Sequence, residues 1–105
     1  LAARMSALLR CDKLSVTDGA SGAVARLGPR GEDEFSLPSL STSVVDTIGC
    51  GDAYFALSSL AACLDLPPRM MALAGSIGAA AMAQRRCNER PISDQEFLTI
   101  AKIVI

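Results

Sequence analysis

An α/β fold, with strands in the first half of the chain and helices in the second, is predicted by three observations. Leu14 to Thr17, Ala23 to Leu27 and Glu34 to Leu37 are short apolar or alternating runs set between Asp18-Gly19, Pro29-Arg30-Gly31 and Pro38, the turn-forming residues that bound strands. From Ala53 onward the apolar residues come in long runs rich in Ala, Leu and Met, a helical composition. Between the halves stands Asp46-Thr47-Ile48-Gly49-Cys50-Gly51-Asp52-Ala53, a glycine-rich turn with a carboxylate at the mouth of an apolar helix.

Taken in order, Ala2 to Leu9 carries apolar residues at helical spacing, and Leu14 to Thr17 follows as a strand ending at Asp18-Gly19. Ala23 to Leu27 alternates as a strand does, and further strands are expected at Glu34 to Leu37 and Ser43 to Val45. The sheet is expected to be mixed, with antiparallel strands in this region. One helix is expected from about Ala53 to Leu64, a second opens at Pro67-Pro68, and a third begins at Ser93. Ser93 with Glu96 has the spacing of a capping box, and Ile92 with Phe97 that of a hydrophobic staple. Turns that join strand ends to helix starts are where ligands of open α/β sheets collect.

Composition narrows the function. The 105 residues have a net charge of −1, with acidic and basic residues interspersed, which argues against a nucleic acid or an anionic membrane as partner. The apolar run from Met70 to Ala83 falls short of the roughly 20 residues a membrane-spanning helix needs and reads as a buried helix. Half the residues are hydrophobic but only 4% are aromatic, so burial rests on small side chains in closely packed layers, with Met5, Met70, Met71 and Met82 as core filler. The chain has no histidine, and its four cysteines show no C-x-x-C spacing, so zinc-finger and Ser-His-Asp chemistry fall together. Reduced thiols and a cytoplasmic location are the expectation. Starting at Leu1 without a methionine, the chain is expected to be part of a longer protein.

The glycine-rich turn carries the chemistry. N–H groups at a helix start lack intrahelical partners and lie at the positive end of the helix dipole, so Gly49, Cys50 and Gly51 are candidates for an anion hole. Asp52, one step on, is placed to take a proton from an attacking hydroxyl while charge develops over those N–H groups. On its own, Asp52 also reads as a helix-start carboxylate favoured by the dipole. Asp46 reads equally as a cap of the turn through its side chain. Cys50 is either a thiol activated by the helix start or a small residue accepted between glycines. No lysine follows the turn, which excludes the G-x-x-x-x-G-K-[ST] phosphate loop.

The run DTIGCGDAYF resembles the second signature of the ribokinase-like (PfkB-type) carbohydrate kinases. Val16-Thr17-Asp18-Gly19-Ala20-Ser21-Gly22 is similar to the family's nucleotide loop, and the helix LAGSIGAAAMAQ followed by PISDQEF is similar to its closing elements. The likeness covers nearly the whole chain but only the C-terminal third of the family. It implies the C-terminal part of a three-layer α/β fold, with a mixed sheet edge and three C-terminal helices, lacking the N-terminal substrate-binding part and lid.

The resemblance also implies function. Asp52 matches the catalytic base, Gly49, Cys50 and Gly51 the anion hole, and Thr17, Gly19 and Gly22 the loop that contacts ATP. Asn88 matches a turn that lines the adenine pocket, and Asp46 a neighbourhood that often holds a monovalent cation such as K⁺. Without the resemblance, Thr17 to Gly22 is an ordinary turn between strands and Asn88 an exposed loop residue. Ile48 stands where a second Thr is common, and Arg85-Arg86-Cys87-Asn88 stands where a glycine is usual, which weakens the case for the cation. The implied activity is Mg²⁺-dependent phosphoryl transfer from ATP to a hydroxyl of a sugar or sugar phosphate. The implied partners are ATP, a small sugar-like substrate, the missing N-terminal part and a second copy of the chain. A nucleotide-binding or scaffold module without turnover, and a vitamin kinase acting on a pyridoxal-like or thiazole-like alcohol, are the other readings. The basic pair Arg85-Arg86 reads either as approaching the nucleotide phosphates or as serving the dipole at a helix end, and the dipole is the preferred reading.

Overall fold

The computed structural model describes residues 1–28, 33–41, 44–86 and 89–104. Helix α1 (Ala2–Leu9) leads into strands β1 (Lys13–Thr17), β2 (Ala23–Leu27) and β3 (Asp33–Leu37), and then helices α2 (Cys50–Cys63), α3 (Pro68–Ala83) and α4 (Asp94–Val104). The strands form one antiparallel sheet in the order β1-β2-β3. Helix α3 lies against β2 and β3, α2 packs along α3 and reaches β1, and α4 packs on α3. The α/β class, the antiparallel strands of this region and the three C-terminal helices are those expected from the sequence. One expected strand is absent: Val44 and Val45 are not in the sheet, because the N–H groups of Val45 and Asp46 both donate to the Ala83 carbonyl at the end of α3. Ser43 and the Pro29-Arg30-Gly31 turn lie outside the described residues.

Small residues explain the closeness of the layers. The buried face of β2 carries Ala23 and Ala25, two residues apart and therefore on one side of the strand. Directly opposite them across the β2–β3 ladder stand Leu37 and Phe35. The innermost cluster joins Ala25, Ala61, Met71 and Ala72, flanked by Phe35, Leu37 and Leu66. Met71 is core filler as expected, whereas Met70 is exposed.

Helix α3 is buried nearly all round, and two glycines let α2 approach it. A Cβ at Gly75 would stand 2.7 Å from the ring of Tyr54, and one at Gly78 2.4 Å from a methyl of Leu57. Pro68 at the first position starts α3, where its missing N–H costs nothing. Lys13 at the start of β1 donates to the Ala62 carbonyl in the last turn of α2 and pairs with Asp65, a cation where the helix dipole favours one.

The expected capping box opens α4: the Ser93 N–H donates to Glu96 Oε2 at 2.9 Å and the Glu96 N–H to Ser93 Oγ at 3.2 Å. Glu96 also accepts from Arg85 at 2.7 Å and Arg90 at 2.6 Å. Arg85, expected to serve the dipole at the end of α3, is instead buried and ion-paired to α4. The reason is that the capping carboxylate is the acceptor within its reach.

Several large apolar side chains face outward, among them Leu8, Phe55, Leu60, Leu64 and Ile103. Among the described residues β1 and β3 each pair on one side only. No helix among the described residues is long and apolar enough to cross a membrane.

Two outcomes follow. Gly75→Ala drives a methyl into the Tyr54 ring and is expected to cost ~1–3 kcal/mol in urea unfolding, the usual range for overpacking. The capping N–H of Ser93 and the two arginines hold the Glu96 carboxyl down from 4.5 to about 2. Because the folded value lies below the unfolded one, this contribution is present above about pH 4.5 and lost as pH falls toward about 2. Thermal melts of wild type and Glu96→Gln should therefore differ at pH 7 and converge near pH 2; a constant gap would remove Glu96 from the acid response.

Candidate functional site

Two turns converge on one cleft. The first follows β1, which ends at Thr17; the chain then closes a tight loop on itself. Asp18 N–H donates to the Gly22 carbonyl at 2.8 Å, Ser21 N–H to the Asp18 carbonyl at 2.8 Å and Gly22 N–H to the Gly19 carbonyl at 3.2 Å. Gly19 has φ +46° and Gly22 φ +105°, in the region that glycine enters without strain. Gly22 has a further structural reason: a Cβ there would fall 2.0 Å from the Leu37 carbonyl oxygen at the end of β3.

The second turn is the entry to α2. Gly49, at φ +86°, is the residue before the helix, and Asp46 Oδ1 accepts from the Ile48 N–H at 3.0 Å. The side-chain cap read from the sequence is thus present. The Cys50 N–H is occupied by the Thr47 carbonyl at 3.2 Å. The N–H groups of Gly49, Gly51 and Asp52 have no acceptor within the chain among the described residues. They lie at the positive end of a 14-residue helix. Gly51 is open: a Cβ on it meets nothing.

A cleft of about 500 Å³ brings the two turns together, lined by Thr17, Gly19 and Gly22 on one side and Thr47, Cys50 and Gly51 on the other. Asp52 stands on the first turn of α2, exposed, and belongs to neither wall. Asn88 lies outside the described residues. Among the described residues no group of three or more His, Cys, Asp or Glu side chains is placed to hold a metal ion.

Tyr54, which sequence reasoning missed, forms part of the cleft floor. Its hydroxyl shares a 2.6 Å hydrogen bond with Ser15 on β1. Burial pushes the phenol above its ordinary 10, with the Ser15 bond working the other way. The signal was its place three residues after Gly51, on the same face of the helix. A smaller cleft of about 340 Å³ runs between β1 and α2 on the other side of Thr17, Gly51 and Tyr54, which line both.

The fold has known counterparts. No family model and no curated protein matches the chain in sequence. Its structure is similar to that of a ribokinase from Thermotoga maritima, with a TM-score of 0.76 and 19% identity over 95% of this chain and 33% of the other. It is similar to a Burkholderia thailandensis nucleoside kinase solved with inosine, with a TM-score of 0.74 and 19% identity over 90% of this chain and 31% of that one. A Methanocaldococcus jannaschii nucleoside kinase, described as an archaeal member of the ribokinase family, gives a TM-score of 0.69 and 23% identity over 94% and 36%. The architecture is therefore ribokinase-like, and the chain spans about a third of the length of these structures.

Cys50 is half-buried and donates its thiol weakly to the Asp46 carbonyl at 3.8 Å. Burial first, and the nearby Asp46 carboxylate second, push its thiol above the ordinary 9.0, which opposes the thiolate that reactivity requires. Of the two readings of Cys50, the small residue between glycines is the one this environment favours. Iodoacetamide at pH 8, mapped by mass spectrometry, should therefore modify exposed Cys63 several-fold faster than Cys50; the reverse order would show an activated thiol.

Proposed function

We propose that this chain is the nucleotide-facing, base-carrying part of a ribokinase-like kinase, which transfers the γ-phosphoryl group of Mg²⁺-ATP to a hydroxyl of a sugar or sugar-like compound. The observation that carries the reading is the cleft lined by Thr17, Gly19 and Gly22 of one turn and by Thr47, Cys50 and Gly51 of the other. The likeness to a ribokinase and to nucleoside kinases supports a ring-borne alcohol as the acceptor. The acceptor pocket and the lid belong, in this reading, to a part of the protein outside these 105 residues.

The chain's own groups divide the work. The N–H groups of Gly49, Gly51 and Asp52 hold the phosphate oxygens as charge builds on them, a preorganised donor set that needs no rearrangement at the moment of transfer. The open space over Gly51 admits a phosphate close to the backbone. Thr17, Gly19 and Gly22 form the opposite wall, along the nucleoside. Asp52 accepts the proton of the acceptor hydroxyl as its oxygen bonds to the γ-phosphorus. The bond from that phosphorus to the β–γ bridging oxygen breaks, and ADP leaves. Magnesium arrives with ATP as part of the substrate. A monovalent cation beside Asp46 would have to share that residue with the Ile48 N–H.

Gly51→Val is the informative variant, since a Cβ at this position meets no neighbouring atom. Calorimetric titration of Mg²⁺-ATP should show binding to the wild-type chain, weakened at least tenfold by Gly51→Val. Equal binding by both would remove the turn from the site. In the protein joined to its N-terminal part, Asp52→Asn should lower kcat by about 10²- to 10⁴-fold, the usual weight of a general base, with little change in nucleotide affinity. Unchanged turnover would exclude Asp52 as the base, and nucleotide binding without any turnover in the wild type would favour a non-catalytic module.

A further inference from the structure

We propose that Tyr54 is a positioning residue that sets the separation of the two cleft turns, through its hydrogen bond to Ser15 and its seat on Gly75. The inference takes from the proposed function only the consequence for nucleotide; the positioning itself rests on geometry.

Ser15 and Thr17 are two residues apart on β1 and so lie on one face of the strand. Gly51 and Tyr54 are three apart on α2 and so lie on one face of the helix. The Ser15–Tyr54 bond of 2.6 Å therefore joins strand and helix directly beneath Thr17 and Gly51, the residues that head the two walls. Those residues and Tyr54 line both clefts, which makes this bond the floor of the partition between them.

The ring is held from the other side as well. Tyr54 is 5% exposed, and its ring atoms occupy the space a side chain at residue 75 would fill, 2.7 to 2.9 Å from a Cβ built there. With α3 behind it and the hydroxyl tied to β1 in front, the residue leaves α2 little freedom to slide. Packing of α2 on β1 is otherwise slight, apart from Lys13 at the far end of the helix. Loss of the hydroxyl releases the turn end of α2 and leaves the Lys13 end fastened.

Tyr54→Phe keeps the ring and removes only the hydroxyl; Ser15→Ala removes the same bond from the strand side. Hydrogen exchange of the 105-residue chain without ligand reads the effect at the bonded amides of Asp18, Ser21 and Gly22 in one turn and Cys50 in the other. Both variants should raise exchange at these amides at least threefold while the amides of α3 and α4 stay within error of wild type, and should weaken an Mg²⁺-bound, non-hydrolysable ATP analogue several-fold. A uniform rise across the chain would mean that Tyr54 adds only general stability and would overturn the proposal, as would unchanged exchange in the turns. A selective rise in a chain whose wild type binds no nucleotide would uphold the positioning role and overturn the nucleotide reading instead.

Discussion

The close approach of α2 to α3 is the contact on which the rest depends. Two glycines of α3 receive Tyr54 and Leu57, so these side chains of α2 seat directly on the backbone of α3. Dispersion between surfaces in such contact is individually small but summed over the whole interface, and any added carbon must displace a buried ring or methyl. Helix α3 is consequently the centre of the structure, with β2 and β3 on one side, α2 alongside and α4 beyond. The sheet accepts it because β2 offers Ala23 and Ala25 rather than larger residues.

The site inherits its geometry from that packing. With α2 seated on α3, its first turn comes to lie opposite the β1–β2 loop, and the space left between them is the cleft. The glycines of the region then separate by role. Gly22 and Gly75 are needed by the fold, because a Cβ at either collides with neighbouring atoms, whereas Gly51 borders open space. Packing therefore does not require a glycine at residue 51, and in the proposed function its smallness serves the phosphate. The same distinction applies to charge. Arg85 spends its guanidinium on Glu96 within the fold, while Asp52 faces outward at the helix start.

Much of this was legible in the sequence, for local reasons. Pro68, Ser93 with Glu96, and the Asp18-Gly19 turn announce their elements because capping and turn chemistry act within a few residues. The glycine-rich turn and the Thr17 to Gly22 loop were legible as motifs, and the structure places them on one cleft. What the sequence hid depends on contacts between distant residues. Val44 and Val45 read as strand by composition, yet their segment bonds to the end of α3, 38 residues beyond Val45 in the case of Ala83. Arg85 read as a helix-end cation, yet it crosses to α4. Tyr54 looked like one more apolar residue of a helix, and its bond to Ser15 spans 39 residues. No spacing rule reports a pairing of that kind.

Phe55 and Leu60 on α2, and Leu64 just past its end, are exposed, large apolar side chains of the kind a larger fold covers. The cleft lined by both turns is where the nucleotide is proposed to sit. Amide chemical shifts of the ¹⁵N-labelled chain, followed while an Mg²⁺-bound, non-hydrolysable ATP analogue is added, test this most directly. The largest changes are expected at Gly49, Gly51 and Asp52 together with Thr17 to Gly22, the two walls responding at one common affinity. Changes confined to α1 and α4, or none at all in a well-dispersed spectrum, would contradict a nucleotide site between the two turns.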